Sequence, residues 1–114
     1  MAESNERSAR IAALNDELRK DPSRPRWMIS LEVNAGGPEF VAAAIAAVQA
    51  FDAFTIENDP YDEHDFGSVR VEGQELFWKI DYFDKSSDWT AGAETPEDPQ
   101  TTDRVLTIML SHEY

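Results

Sequence analysis

The chain has 114 residues, no cysteine, a hydrophobic fraction of 41% and a formal net charge of −13 at pH 7. This length and apolar content predict a single folded domain over residues 1–114 and exclude a disordered chain. The lack of cysteine excludes a disulfide framework, a thiolate zinc site and a cysteine nucleophile.

The negative charge is concentrated in the second half of the sequence. Residues 1–51 carry seven acids against six bases, whereas residues 52–114 carry sixteen acids against four bases. Nucleic-acid backbones and anionic membranes bind positive charge, so neither is a predicted partner. A basic protein or a cation is what this field would attract. The polar N-terminus and the lack of a long apolar run predict a cytoplasmic protein.

The first half predicts a helix, a strand and a second helix. Ile11, Leu14 and Leu18 form one apolar stripe, which predicts a helix over residues 5–20. Residues 27–33 alternate apolar and polar side chains, the pattern of a half-buried strand. The turn at residues 34–37 matches neither the Rossmann nor the Walker pattern, so it predicts no phosphate site. Residues 38–51 predict a helix with one broad apolar face.

The second half predicts an acidic loop and antiparallel strands. Residues 54–56 are either a short strand or the start of the loop, and residues 57–65 are turn-forming. Residues 68–71 and 76–83 predict a hairpin around Gly73. Residues 85–103 predict a second loop, which is long, mobile and also rich in acidic residues, and which Trp89 attaches to the body of the domain. Residues 104–114 predict the last strand.

These elements predict an α+β fold with two helices packed on one face of a mostly antiparallel four- or five-stranded sheet. The other face combines polar residues with a larger apolar share than a solvated face needs. We expect residues 85–103 or another chain, such as the second subunit of a homodimer, to cover it. The predicted core residues on the strands are Trp27, Ile29, Leu31, Trp78, Ile80, Leu106, Ile108 and Leu110. Those predicted on the other face are Arg70, Phe77, Lys79, Asp81, Phe83, Thr107 and Met109.

Three runs together resemble a known family: FxxFTxxNDPYxEHDFG at residues 51–67, WKIDYFD at 78–84 and RVLTIMLxxEY at 104–114. With LNDELR at residues 14–19, they are similar to a bacterial family catalogued as a domain of unknown function (number 3768). The resemblance supplies no activity, cofactor or catalytic residue. It implies a setting on plasmids and other mobile elements, where small accessory and anti-defence proteins are common.

One hypothesis for the acidic loop is a metal-dependent hydrolase. Carboxylates and a histidine bind divalent cations, and a bound water could then act as the nucleophile. Asp62, His64 and Asp65 are the candidate ligands within the cluster that runs from Asp59 to Asp65. Their spacing fails the EF-hand pattern, and two histidines cannot form a three-histidine zinc site. The sequence assigns no catalytic residue.

The leading hypothesis is an acidic binding protein without enzymatic activity or a cofactor. Displayed carboxylates could imitate the phosphates of DNA and bind a basic nucleic-acid-handling protein, with exposed aromatics as anchors. With the mobile-element resemblance, this predicts an anti-CRISPR or anti-restriction inhibitor. An accessory role in plasmid maintenance would use the same surface. The predicted partner-binding residues are Asp59, Tyr61, Asp62, Glu63, Asp65, Asp84, Asp88 and Trp89.

Overall fold

A computed structural model describes the backbone of residues 2–114 and the side chains of residues 5–114. It confirms the α+β class, with one four-stranded sheet in the order β1-β4-β3-β2. Strand β1 runs parallel to β4, and the other neighbours are antiparallel. The helices are α1 (Ala2–Lys20), α2 (Leu31–Ala35) and α3 (Pro38–Ala50). The strands are β1 (Trp27–Ile29), β2 (Phe66–Val71), β3 (Gln74–Asp84) and β4 (Thr102–Leu110).

The core lies between the helices and one face of the sheet, as predicted. Leu18, Phe40 and Val48 from the helices join the buried residues of the central strands in one cluster. Gly67 on β2 lies opposite Trp78, where an added Cβ would overlap the indole. The buried strand residues are Leu76, Trp78, Ile80, Leu106, Ile108 and Leu110, while Trp27 and Ile29 are partly buried against them.

The predicted strand at residues 27–33 is wrong after Ile29. Ser30 Oγ accepts a hydrogen bond from Val33 N at 3.2 Å and so caps the short helix α2. Leu31 is consequently 87% exposed, whereas Val33 is fully buried. Alternating apolar residues predicted an extended chain, but the capping serine ends β1 because it satisfies a free helical N–H group.

The last predicted strand also ends early. Strand β4 stops at Leu110, and Ser111–Glu113 forms a 3₁₀ turn. Glu113 Oε1 accepts hydrogen bonds from Leu110 N at 2.7 Å and from Ser30 Oγ at 2.8 Å. In a continued strand, Tyr114 would share the core face with Leu106, Ile108 and Leu110. After the 3₁₀ turn its ring packs instead against the rings of Phe66 and Phe77 on the other face of the sheet.

The connection from β3 to β4 folds back along β3. Asp84 N donates to Ala91 O at 2.9 Å, and Ala93 N donates to Tyr82 O at 3.1 Å. Trp89 stacks on Phe83 with ring centroids 5.7 Å apart. The attachment predicted for Trp89 is therefore present, while the mobility of residues 85–103 stays a prediction. None of the helices described here has the length and apolar character needed to cross a membrane.

Candidate protein-binding site

The acidic loop, residues 52–65, connects α3 to β2 and contains no strand. Thr55 N donates to Asn58 Oδ1 at 2.9 Å, and Asn58 N donates to Thr55 Oγ1 at 3.3 Å. Asn58 Nδ2 also donates to Ala53 O at 3.0 Å. Local bonds of this kind fix turns, because side chains of Asn and Thr satisfy the backbone of neighbouring residues.

Asp59 organises the second part of the loop from the inside. Its side chain is 2% exposed, and Oδ1 accepts hydrogen bonds from Glu63 N at 2.9 Å and His64 N at 3.1 Å. Asp62 and His64 both have a φ of 56°, a conformation that side chains disfavour. The prediction that Asp59 is displayed on the surface is therefore wrong. Its carboxylate shapes the loop instead.

His64 joins the acidic loop to α1. Its Nδ1 lies 3.0 Å from Asp16 Oδ1, and its Nε2 lies 3.8 Å from Asp59 Oδ2. The ring stacks on Phe54 with centroids 3.9 Å apart. Asp16 Oδ1 also accepts a hydrogen bond from Arg19 Nη2 at 3.0 Å. The histidine is thus held between two carboxylates from two different parts of the chain.

Glu63 also turns inward. Its Oε1 accepts a hydrogen bond from the Tyr82 hydroxyl at 2.9 Å. Asn15 Nδ2 donates to Tyr82 Oη at 2.8 Å and to Glu63 O at 2.9 Å, while Arg104 Nε donates to Asn15 Oδ1 at 2.9 Å. Burial is the main cause of the raised pKa of Tyr82, which stays a neutral donor in this network.

Asp65 lies half-buried among other acids. Burial, and then the charges of Glu63 and Asp59, raise the pKa of Asp65 to about 6. Asp65 O accepts a hydrogen bond from Ile80 N at 2.8 Å, which fixes the residue at the start of β2. The predicted binding residues Glu63 and Asp65 are therefore only partly accessible to a partner.

The outer side of the acidic loop presents two large side chains. Ile56 is 77% exposed and Tyr61 is 76% exposed. Exposed carboxylates of the same loop accompany them, namely Asp52, Glu57 and Asp62. The sequence predicted Tyr61 and Asp62 for this surface but missed Ile56. The available signal was that Ile56 is a large apolar residue next to a turn-forming segment and belongs to no amphipathic pattern. Such a residue is a candidate for exposure on the surface.

The remaining predicted residues lie on the β3–β4 connection. Asp84 Oδ1 accepts hydrogen bonds from Ser86 Oγ at 2.8 Å and Ser86 N at 2.9 Å, and both lower the pKa of Asp84. Asp88 is exposed, and Trp89 is 40% exposed. Trp89 packs on the sheet face that the helices leave open. The predicted set is therefore divided between two separate surfaces.

Residues 29–113 match the model of a family described as Protein of unknown function (DUF3768). The chain belongs to this family. The resemblance is thereby confirmed for the runs at residues 51–67 and 78–84 and for the last one up to residue 113, while residues 14–19 precede the match. No curated protein and no solved structure matches the chain.

The predicted metal ligands of this DUF3768 domain have different environments. Asp62 is exposed, His64 contacts Asp16, and Asp65 is half-buried. Within the described part of the chain, no group of three or more His, Asp or Glu side chains is arranged to hold a metal ion. A bound divalent cation at these residues stays a prediction.

Asn15, Asp16 and Arg19 are site residues that the sequence analysis missed. All three lie on α1, and their side chains form hydrogen bonds with the acidic loop or with the end of α3. Asn15 follows Ile11 by four residues and precedes Leu18 by three, so it stands within the predicted apolar stripe. A polar residue in a buried stripe indicates a buried hydrogen-bond network, because an unpaired amide there would be costly.

Proposed function

We propose that the chain is an acidic, non-enzymatic binding protein that inhibits a basic nucleic-acid-handling protein of a bacterial defence system. The supporting observation is the exposed pair Ile56 and Tyr61, which lies among carboxylates on a loop fastened by its own hydrogen bonds. The proposed target is a CRISPR or restriction complex in the cytoplasm.

This arrangement has the parts that a protein-binding surface needs. Large side chains that become desolvated at the centre of an interface supply most of the binding free energy. The surrounding carboxylates would steer a basic partner and orient it. The bonds of Asn58 and Asp59 hold the loop before binding, which lowers the entropic cost of forming the complex.

Charge supports a partner that normally binds nucleic acid. Residues 52–114 carry sixteen acids against four bases. A basic groove that accepts phosphates would also accept closely spaced carboxylates. The resemblance noted in the sequence implies a setting on mobile elements, and inhibitors of host defence would benefit an element that carries them.

The contacts of the acidic loop favour binding over the alternative, a small metal-dependent hydrolase at residues 59–65. Both ring nitrogens of His64 face carboxylates, those of Asp16 and Asp59. Asp59 Oδ1 is already engaged by two backbone amides. These groups act in the fold of the loop, so the proposal rests on the exposed side chains of Ile56, Tyr61 and Asp62.

The test measures binding to purified restriction enzymes and CRISPR effector complexes from bacteria, with a DNA duplex as competitor. We expect one of these targets to bind the protein and to release it when duplex is added. The affinity of this complex should fall as NaCl increases. The double variant Tyr61→Ala/Asp62→Lys should lose at least about tenfold in affinity.

The matched control is Glu39→Lys, which reverses an exposed charge in the first turn of α3, at the end remote from the acidic loop. It should retain nearly all of the affinity. An equal loss of affinity in the control and the double variant would refute the proposed function. Binding that changes with neither salt nor added DNA would also refute it.

A further inference from the structure

The sheet face opposite the helices is only partly covered by the chain itself. At one end Trp89 stacks on Phe83, and at the other Tyr114 packs against Phe66 and Phe77. Between them lies a groove of about 310 Å³, here called the sheet groove. Its walls include Met28, Asp81, Phe83, Trp89, Val105 and Thr107.

The sheet groove combines an apolar floor with an accessible edge. Val105 is 4% exposed and forms part of the floor, whereas Met28 on the edge strand β1 is 51% exposed. Met28 lies beside Thr107 in the register of β1 and β4. About half of the Met28 side chain is in contact with water. Covering it with another apolar side chain would be favourable, because apolar surface would be removed from water.

Trp89 is held in place as one wall of the sheet groove. Its Nε1 donates to Asp103 Oδ2 at 3.0 Å, and its ring lies within 15° of parallel to Phe83. Asp88 and Trp89 are consecutive non-glycine residues with positive φ, 54° and 68°. Such conformations persist where surrounding contacts enforce them, and they are enriched at ligand-binding positions.

The charges around the sheet groove indicate the character of its occupant. Asp81 lines the groove and its side chain is 40% exposed, with Lys79 Nζ 2.8 Å from its Oδ2. On the same sheet face and on the β3–β4 connection are three acids and two bases, namely Asp81, Asp88, Asp103, Lys79 and Lys85. This excess of acids favours an occupant with positive charge next to its apolar part.

We propose that the sheet groove binds a basic segment of a partner protein. A large apolar side chain of that segment would lie between Met28 and Trp89, and flanking Arg or Lys residues would lie near Asp81 and Asp88. A second copy of this chain fits less well, because each copy carries a net charge of −13. The sheet groove is thus a second docking surface, distinct from the acidic loop.

The test titrates isotope-labelled protein with three short synthetic peptides. One alternates Leu and Arg, one alternates Ser and Arg, and one alternates Leu and Glu. We expect the Leu–Arg peptide to bind at least about tenfold more tightly than either of the others. Its binding should shift the indole N–H resonance of Trp89 and the methyl resonance of Met28.

Three single variants decide where that peptide binds. Met28→Ser and Asp81→Asn should each weaken Leu–Arg binding by about fivefold or more. Leu31→Ser is the matched control, since Leu31 is 87% exposed and does not line the groove. Both altered side chains in the groove are at least 40% exposed, so melting temperatures should confirm that all three variants fold.

Several outcomes would overturn the proposal. Equal binding of the Ser–Arg peptide would mean that charge alone attracts the probe, and resonance shifts confined to residues 52–65 would place it on the acidic loop. A dimer that forms without peptide and is lost in Met28→Ser would identify a second copy as the occupant. The variant Tyr61→Ala/Asp62→Lys should leave peptide binding unchanged, so this proposal and the proposed function can fail separately.

Discussion

Asn15 shows how one buried polar residue can fix the position of a loop. Its side-chain amide donates to Glu63 O and Tyr82 Oη, and its oxygen accepts from Arg104 Nε. All three of these hydrogen bonds join parts of the chain that are remote in sequence. The apolar stripe of α1 predicted the helix, but the partners of Asn15 could not be predicted because nothing local specifies which loop covers a helix.

Asp65 should make stability depend on pH. Its pKa is raised to about 6 in the folded protein, mainly by burial, against about 3.9 in an unfolded chain. The folded state therefore binds the proton more tightly, so the contribution of Asp65 is fully favourable below about pH 4 and is lost as the pH rises through 6. At higher pH the ionised carboxylate lies half-buried beside Glu63 and Asp59.

Replacing Asp65 by Asn removes that ionisation. We expect Asp65→Asn to raise the free energy of unfolding by about 1 kcal/mol near pH 8, allowing for solvent screening, and to give no gain near pH 4. Urea denaturation at both pH values measures the difference. Asp62→Asn, at an exposed position of the same loop, is the control. A gain from Asp65→Asn that is equal at both pH values would contradict the assigned pKa.

At the scale of elements, periodic patterns in the sequence predicted the helices and strands that bury one face. Helices α1 and α3 and the hairpin of β2 and β3 follow from such patterns, as does the core face of β4. The ends of β1 and β4 did not follow, because Ser30 and Glu113 end them through hydrogen bonds to the helical turns that begin there and to each other. Capping contacts between remote segments leave no periodic signal.

Arg19 links two of these elements and should be essential to the fold. It is 1% exposed, and its Nη1 donates to Val48 O, Gln49 O and Phe51 O at the end of α3. Arg19→Ala leaves these carbonyls without their donor and opens a cavity beside Trp78. We expect unfolding free energy to fall by about 3 kcal/mol or more, measured by chemical denaturation.

Two further variants separate the shape of Arg19 from its charge. Arg19→Lys keeps the charge but loses the planar fork, so it should recover only part of the stability. Lys20→Ala alters the exposed neighbour on α1 and should change stability by less than about 0.5 kcal/mol. If Arg19→Ala were no more destabilising than Lys20→Ala, the three hydrogen bonds to α3 would contribute nothing.

At the scale of the whole molecule, sixteen acids in residues 52–114 repel one another across a domain whose radius of gyration is 14.3 Å. Some of this repulsion is relieved internally, by the pairs of Arg7 with Glu97, Lys79 with Asp81 and Lys85 with Asp103. The rest remains in the folded state. The composition predicted this field, while the division of its carboxylates into buried, capping and exposed groups depends on the fold.

Salt should therefore act on this protein in two opposite directions. Raising NaCl from about 0.01 to about 0.15 M should increase the melting temperature of the free protein by a few degrees, because it screens repulsion among the carboxylates. The same change should weaken the proposed complex with a basic partner.

Glu57→Gln/Asp62→Asn should reduce the melting-temperature increase, and Arg10→Gln, which makes the net charge more negative, should enlarge it. A melting temperature that is flat or falls with salt in all three proteins would mean that the excess charge is already compensated within the fold. The acidic surface would then have little free energy to gain by meeting a basic partner.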